Sequence, residues 1–158
     1  MRTRMRIFLG ILPAIILSAL LWASDPAAAQ TGEPKTSGGL TVYLGVVPAE
    51  IVKGPSPHSA EKPMHGSIPR GAHEYHIVAA VFDAATNARV SDAAVTAQVS
   101  GLGLSGSTKK LEPMEIAGTT TYGVFFNLPG RDLYTVKLTV ERPGGARPVT
   151  FQFKYDHR

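Results

Sequence analysis

About seven stretches of this chain alternate inward and outward side chains with a period of two. Turn residues recur between them roughly every ten positions, a pattern that calls for an all-β, antiparallel fold. The longest stretch runs from His73 to Phe82. Tyr75, Ile77, Ala79 and Val81 fall on one face and Glu74, His76, Val78, Ala80 and Phe82 on the other. Both faces are largely apolar, which suits a central strand. The other strands are expected at 40–47, 93–99, 111–116, 119–128, 133–140 and 149–155. Pro48 stops the first, and Ile51 and Val52 extend it after a kink. Residues 83–87 make a turn with Asn87 suited to positive φ, and Arg89 and Val90 resume a short strand. Pro113 marks an edge or a bulge, because proline cannot donate to a ladder. Pro129-Gly130 and Pro143-Gly144-Gly145 close hairpins. No stretch carries a helical period, so the expected fold is an immunoglobulin-like β-sandwich of about seven antiparallel strands.

The first 29 residues stand apart. Arg2, Arg4 and Arg6 precede an apolar run at 7–23, and Ala27-Ala28-Ala29 offers a signal-peptidase site, so export and cleavage after Ala29 are expected. Cleavage leaves a mature chain of about +2 by formal count. Its basic residues are scattered, without an aromatic-interleaved stripe, which argues against nucleic acid as a partner. The expected home is the periplasm. With no cysteine, the domain must hold together by packing, and any metal must be bound by histidine, methionine, carboxylate or backbone. Residues 30–39 read as a flexible leader and 40–158 as the β-sandwich domain. Residues 53–63, with three prolines and a glycine, form a long loop.

The residues able to carry chemistry gather near the start of the central strand. Met64, His65, His73 and His76 lie there, and Met114 is a further donor. Thioether with imidazole suits copper, Cu(I) especially, whereas imidazole alone also accepts zinc or Cu(II). Glu74, Glu112 and Glu115 could harden the site toward iron. Strict alternation puts His73 and His76 on opposite faces, so both serve one ion only through a bulge or a later strand start. His58 and His157 are expected to be solvated. No serine sits in a nucleophile-elbow context, the glycines at 101 and 103 make a turn rather than a nucleotide fingerprint, and no carboxylate pair is set for acid–base work, so the chain is not expected to be an enzyme. Tyr122, Phe125, Phe126, Tyr134, Phe151, Phe153 and Tyr155 read as strand packing.

Residues 112–143, EPMEIAGTTTYGVFFNLPGRDLYTVKLTVERP, resemble the end of the small periplasmic iron-transport proteins that accompany ferrous-iron permeases. That family's pattern is a Pro-Met, a His-Tyr-Gly, a Pro-Gly turn and a tyrosine-bearing strand. Pro113-Met114, Tyr122-Gly123, Pro129-Gly130 and Tyr134 match it in order. The resemblance implies an immunoglobulin-like fold, a homodimer, and copper held by methionine and histidine with a nearby glutamate. It implies Met114 as the thioether ligand and His76 as the strand histidine. Two positions depart from the pattern: Thr121 stands where the family has the histidine before Tyr-Gly, and Val78 where it has a glutamate two residues after the strand histidine. Met64, His65 and His73 are the residues that could compensate. The span from Tyr75 through Asp92, Ala93, Ala94 and Val95 to Tyr122 and Tyr134 is equally similar to the broader YtkA-like group of exported β-sandwich domains.

Two functions from different classes follow. One is a periplasmic transition-metal-binding protein, copper first with iron or zinc as alternatives, that assists copper handling or iron uptake beside a membrane permease. The other is a non-metal interaction module that docks a membrane complex or an exported partner through a sheet edge or the proline-rich loop.

Overall fold

In the computed structural model the described residues are 30–52, 71–103, 105–145 and 147–157. The expected signal peptide, the 53–63 loop, His58, Met64 and His65 lie outside them. The alternation read from the sequence is reproduced along five of the long strands. In β3 (Leu40–Pro48), Leu40, Val42, Leu44 and Val46 are buried; in β4 (Glu74–Asp83), Ile77, Ala79 and Val81 are completely so. β5 (Ala94–Ser100) contributes Val95, Ala97 and Val99, and β8 (Asp132–Glu141) Tyr134, Val136, Leu138 and Val140. β9 (Val149–His157) adds Phe151, Phe153 and Tyr155. Each fully buried Val, Leu, Ile or Phe is worth about 1.5–3 kcal/mol over an exposed one, so this one core can stand in for the missing disulfides.

All strand pairings are antiparallel, and β4 lies centrally between β3 and β7 (Thr119–Asn127). With β1 (Gln30–Thr31), β2 (Lys35–Ser37) and β6 (Ser107–Ile116), the ladder runs β1-β3-β4-β7-β6-β5-β8-β9, and β2 also pairs β3. Among the described residues it is one continuous sheet of nine strands, not two separate sheets with about seven. The physical reason lies in β6 (Ser107–Ile116), which is long enough to serve both layers. Its first half, Ser107 to Leu111, pairs with β5, and its second half, Glu112 to Ile116, pairs with β7. The sheet therefore turns a corner inside a strand. Pro113 falls in the half that has a partner on one side only, where its missing N–H breaks no ladder, as the edge assignment requires.

The two ends of the ladder then meet. Lys35 lies over the Phe153 ring at 5.6 Å, and Gly38 packs so tightly on Val149 that a Cβ there would sit 2.5 Å from a valine methyl. With φ at +56°, Gly38 also needs the left-handed region that glycine enters freely. The sheet is thereby nearly closed on itself.

Three local expectations change. The 30–39 segment, read as a flexible leader, instead holds β1 (Gln30–Thr31) and β2 (Lys35–Ser37), both paired with β3. β2 is exposed throughout, so its order comes from backbone hydrogen bonds that composition does not reveal. Ile51 and Val52 do not extend β3 but close a one-turn helix, α1 (Ala49–Val52). Arg89 makes only an isolated bridge with Phe82. Asn87 does take positive φ, at 56°, in a turn tied by Asp83, whose carboxylate accepts from the Ala85 and Thr86 amides and the Thr86 hydroxyl. Two buried tyrosines fasten loops to the core. Tyr122 donates to the Val90 carbonyl and accepts from the Ala93 amide, and Tyr134 donates to the Pro129 carbonyl at 2.6 Å. The second bond resembles the tyrosine corner of immunoglobulin domains.

Candidate metal centre

The outward face of the β4-β7-β6 region is where the expected donors come together. β4 presents His76 and Val78 there, and strand pairing puts Thr121, Gly123 and Phe125 of β7 and Glu112 and Met114 of β6 on the same side. His76 is directly opposite Phe125, Gly123 lies between Val78 and Glu112, and Met114 is opposite Thr121. His76 and Met114 thus occupy the rows on either side of the Gly123 row, and each side chain can reach it diagonally.

They do reach it. A Cβ built on Gly123 would lie 2.6 Å from His76 Nε2 and 2.7 Å from Met114 Sδ. An imidazole nitrogen and a thioether sulphur therefore both close over the Gly123 backbone, an approach that only a residue without a side chain permits. The His76 ring is held by stacking on Phe125, with centroids 4.5 Å apart and 21° between planes. His76, Met114 and Thr121 are each only 7 % exposed, so the pair is largely withdrawn from water although it sits on the outer face of the sheet. A lone glycine inside a strand often marks a close approach, which was the available sequence signal for Gly123. Phe125 had no such signal, since it reads as packing like its neighbours.

The other expected donors fare differently. His73 stands exposed in the turn before β4, on the Tyr75 side by strand parity, where its carbonyl accepts from the Leu128 amide. The parity objection therefore stands, because no bulge turns His73 toward His76. Met64 and His65 lie outside the described residues. Among the described residues no three His, Cys, Asp or Glu side chains gather to hold an ion, so a site here would draw on the methionine sulphur. Glu112 is in the Gly123 row, but its carboxylate is partly exposed and lies 3.7 Å from Lys110.

His157, expected to be solvated, is instead half-buried at the C-terminal end of β9. Its Nε2 is 2.6 Å from the Tyr75 hydroxyl, and its ring contacts Tyr75, Tyr134 and Tyr155. Burial pushes the Tyr155 hydroxyl pKa up to about 12, with Tyr75 and Asp156 adding to the effect. Tyr75 is raised by burial and then by Glu50, and Tyr134 by burial and then by Asp132 and Tyr75. This cluster is a packed aromatic end of the core.

The fold has solved counterparts. The copper-reconstituted P19 protein of Campylobacter jejuni superposes with a TM-score of 0.62 over 80% of this chain and 93% of its own, at 13% identity. A copper-bound variant of FetP from uropathogenic Escherichia coli gives 0.61 over 81% and 97%, at 14% identity. This chain shares their fold. A DUF4426 family protein from Pseudomonas aeruginosa gives 0.56 over 78% and 94%, at 19% identity. No protein-family model matches the chain. No curated protein matches it in sequence.

Proposed function

We propose that the protein is a periplasmic copper-binding protein that assists copper handling or iron uptake, and that it acts as a carrier rather than a catalyst. The observation that carries this reading is the convergence of His76 Nε2 and Met114 Sδ over Gly123. Imidazole with thioether is a donor set that favours copper over the harder divalent ions. The shared fold lends support, since the P19 and FetP structures named above are copper-bound. The finer features implied by the family resemblance, an immunoglobulin-like homodimer working beside a membrane permease, belong to the same proposal.

The residues divide the work. His76 offers a nitrogen whose ring orientation is set by Phe125, and Met114 offers a polarizable sulphur from the neighbouring edge strand. Low exposure keeps water from competing for either donor. Metal binding to imidazole requires the neutral ring, so uptake and release are coupled to protons.

The test is calorimetric titration of copper into the purified, metal-stripped protein and into the His76→Ala and Met114→Ala variants. Each substitution is expected to weaken binding by at least about 10-fold, or about 1.4 kcal/mol, while the circular dichroism spectrum stays that of a β-protein. Unchanged affinity in both variants would refute the assignment. A wild-type protein whose melting temperature no copper, zinc or iron ion raises would favour the non-metal interaction module, because a ligand selective for the folded state must stabilise it.

A further inference from the structure

We propose that the outward face of β5, β8 and β9 docks the protein on an anionic phospholipid bilayer, with Leu102 and Leu133 entering the headgroup region and Lys137 and Lys154 meeting the phosphates. This face lies across the core from His76 and Met114, so docking there needs no copper.

Two leucines stand out of the fold into water. Leu133 precedes the buried Tyr134 in β8 and is 45 % exposed, and Leu102, in the turn after β5, is 87 % exposed. One carboxylate ties them together. Asp132 Oδ2 accepts from the Leu102 amide and its Oδ1 from the Leu133 amide, both at 2.7 Å. Apolar residues exposed singly are ordinary, but these two are held as neighbours at one end of the same face. The Asp132 carboxylate is engaged in this anchoring, and Arg131 beside it is exposed.

The charge on the face is one-sided. Beyond the leucines, strand pairing lays out three outward rows through Thr135, Lys137 and Thr139 of β8. With the β6 residues paired to β5, these rows hold Lys154, Lys137 and Lys110, and otherwise only serine, threonine and glutamine. Acids and bases are close to balanced in residues 30–158, so three lysines without a carboxylate in these rows are a local excess. Glu141 and the half-buried Asp156 stand at the two ends of the face. Lys154 Nζ donates to the Thr135 hydroxyl at 2.7 Å, which lays its ammonium over the face. Lys110 has Glu112 at 3.7 Å, an exposed pair of the kind that contributes little.

Apolar tips beside lysines suit a membrane interface. Leucines enter the boundary between headgroups and acyl chains, while lysine stems lie along the surface and their ammonium groups reach the phosphates. Several lysines on one broad face act together, each adding attraction to an anionic leaflet. A soluble polyanion would use the lysines and leave the leucines in water, so the leucine pair favours the bilayer. With this face down, the outer face that carries His76 and Met114 is turned to solvent.

The experiment is co-sedimentation of the purified, metal-stripped protein with vesicles of phosphatidylcholine alone and of phosphatidylcholine mixed with phosphatidylglycerol. The wild type is expected to bind the anionic vesicles at least about 10-fold more tightly than the neutral ones. Salt should weaken that binding, because the screening length falls from about 10 Å at 0.1 M to about 3 Å at 1 M. Lys137→Glu with Lys154→Glu, and Leu102→Ser with Leu133→Ser, are each expected to lower affinity by about 10-fold or more. Ile116→Ser is the control, since Ile116 is 41 % exposed on the opposite outer face, and it should stay within about threefold of wild type. Depth supplies a readout independent of affinity: Leu102→Trp fluorescence should shift to the blue on anionic vesicles and be quenched by brominated acyl chains.

A wild type that leaves the anionic vesicles in solution overturns the proposal, and equal binding to neutral vesicles overturns the part given to the lysines. A leucine double variant that binds like wild type, on vesicles and on a soluble sulphated glycan alike, makes the face a polyanion site and overturns the bilayer as its occupant. An equal loss in Ile116→Ser overturns the choice of face. Copper titration is a separate measurement, so failure of either leaves the other standing.

Discussion

His76 and Met114 show what single residues can and cannot announce. That His76 lies on an apolar strand face follows from counting along the chain from Tyr75, and so does the exclusion of His73 from that face. That Met114 lies on the same face as His76 does not follow from counting. It depends on Met114 being paired with Thr121 rather than with Tyr122, and a slip of one residue would turn the sulphur into the core. Residues that work through hydrogen bonds are equally silent in sequence. Tyr122 is 1 % exposed, and its hydroxyl serves both the Val90 carbonyl and the Ala93 amide. Tyr122→Phe keeps the ring but leaves those two backbone groups without this partner. The expected loss is about 1–3 kcal/mol, read as a lower denaturation midpoint at unchanged m-value.

Among the elements, β6 decides the architecture. A strand that pairs with β5 through Leu111 and with β7 from Glu112 onward joins the two layers without a loop, and no turn residue marks the change. The sequence offers only Pro113, which says that one side of the strand is bare from there on. Leu111, 1 % exposed at the crossover, packs into the core where the two pairings meet. Leu111→Ala is expected to destabilise the protein by about 2–5 kcal/mol in equilibrium unfolding, and to weaken the proposed copper binding as well, because Met114 is held by the same strand. β1 and β2 carry the opposite lesson. Their residues are polar and short in run, and they are strands because β3 offers a free ladder edge, which is a property of the neighbour and not of the segment.

At the level of the molecule, one core without disulfides carries the fold, and several of its largest members are tyrosines. Burial raises Tyr75, Tyr122, Tyr134 and Tyr155, the last to about 12. The unfolded chain gives up these protons near pH 10, before the folded chain does, so ionisation favours unfolding in between. The tyrosine contribution is therefore complete below about pH 10 and is lost as pH rises toward about 12. Urea midpoints measured from pH 8 to 12 should be level at first and then fall, with tyrosinate absorbance appearing together with unfolding. A midpoint that holds steady to pH 12 would contradict the assigned burial.

The sequence by itself determined the all-β class, the seven long strands, the inward faces of β5, β8 and β9, the turn at Asn87, the central place of β4 and the side on which His76 lies. Each of these is local, set by side-chain period and by residues that favour or forbid particular φ values. Only the tertiary structure decided that the layers form one sheet, that residues 30–37 belong to it, that His157 is gathered among tyrosines, and that His76 and Met114 meet over Gly123. Each of those depends on the register between strands distant in sequence, which is settled by the packing of the whole core.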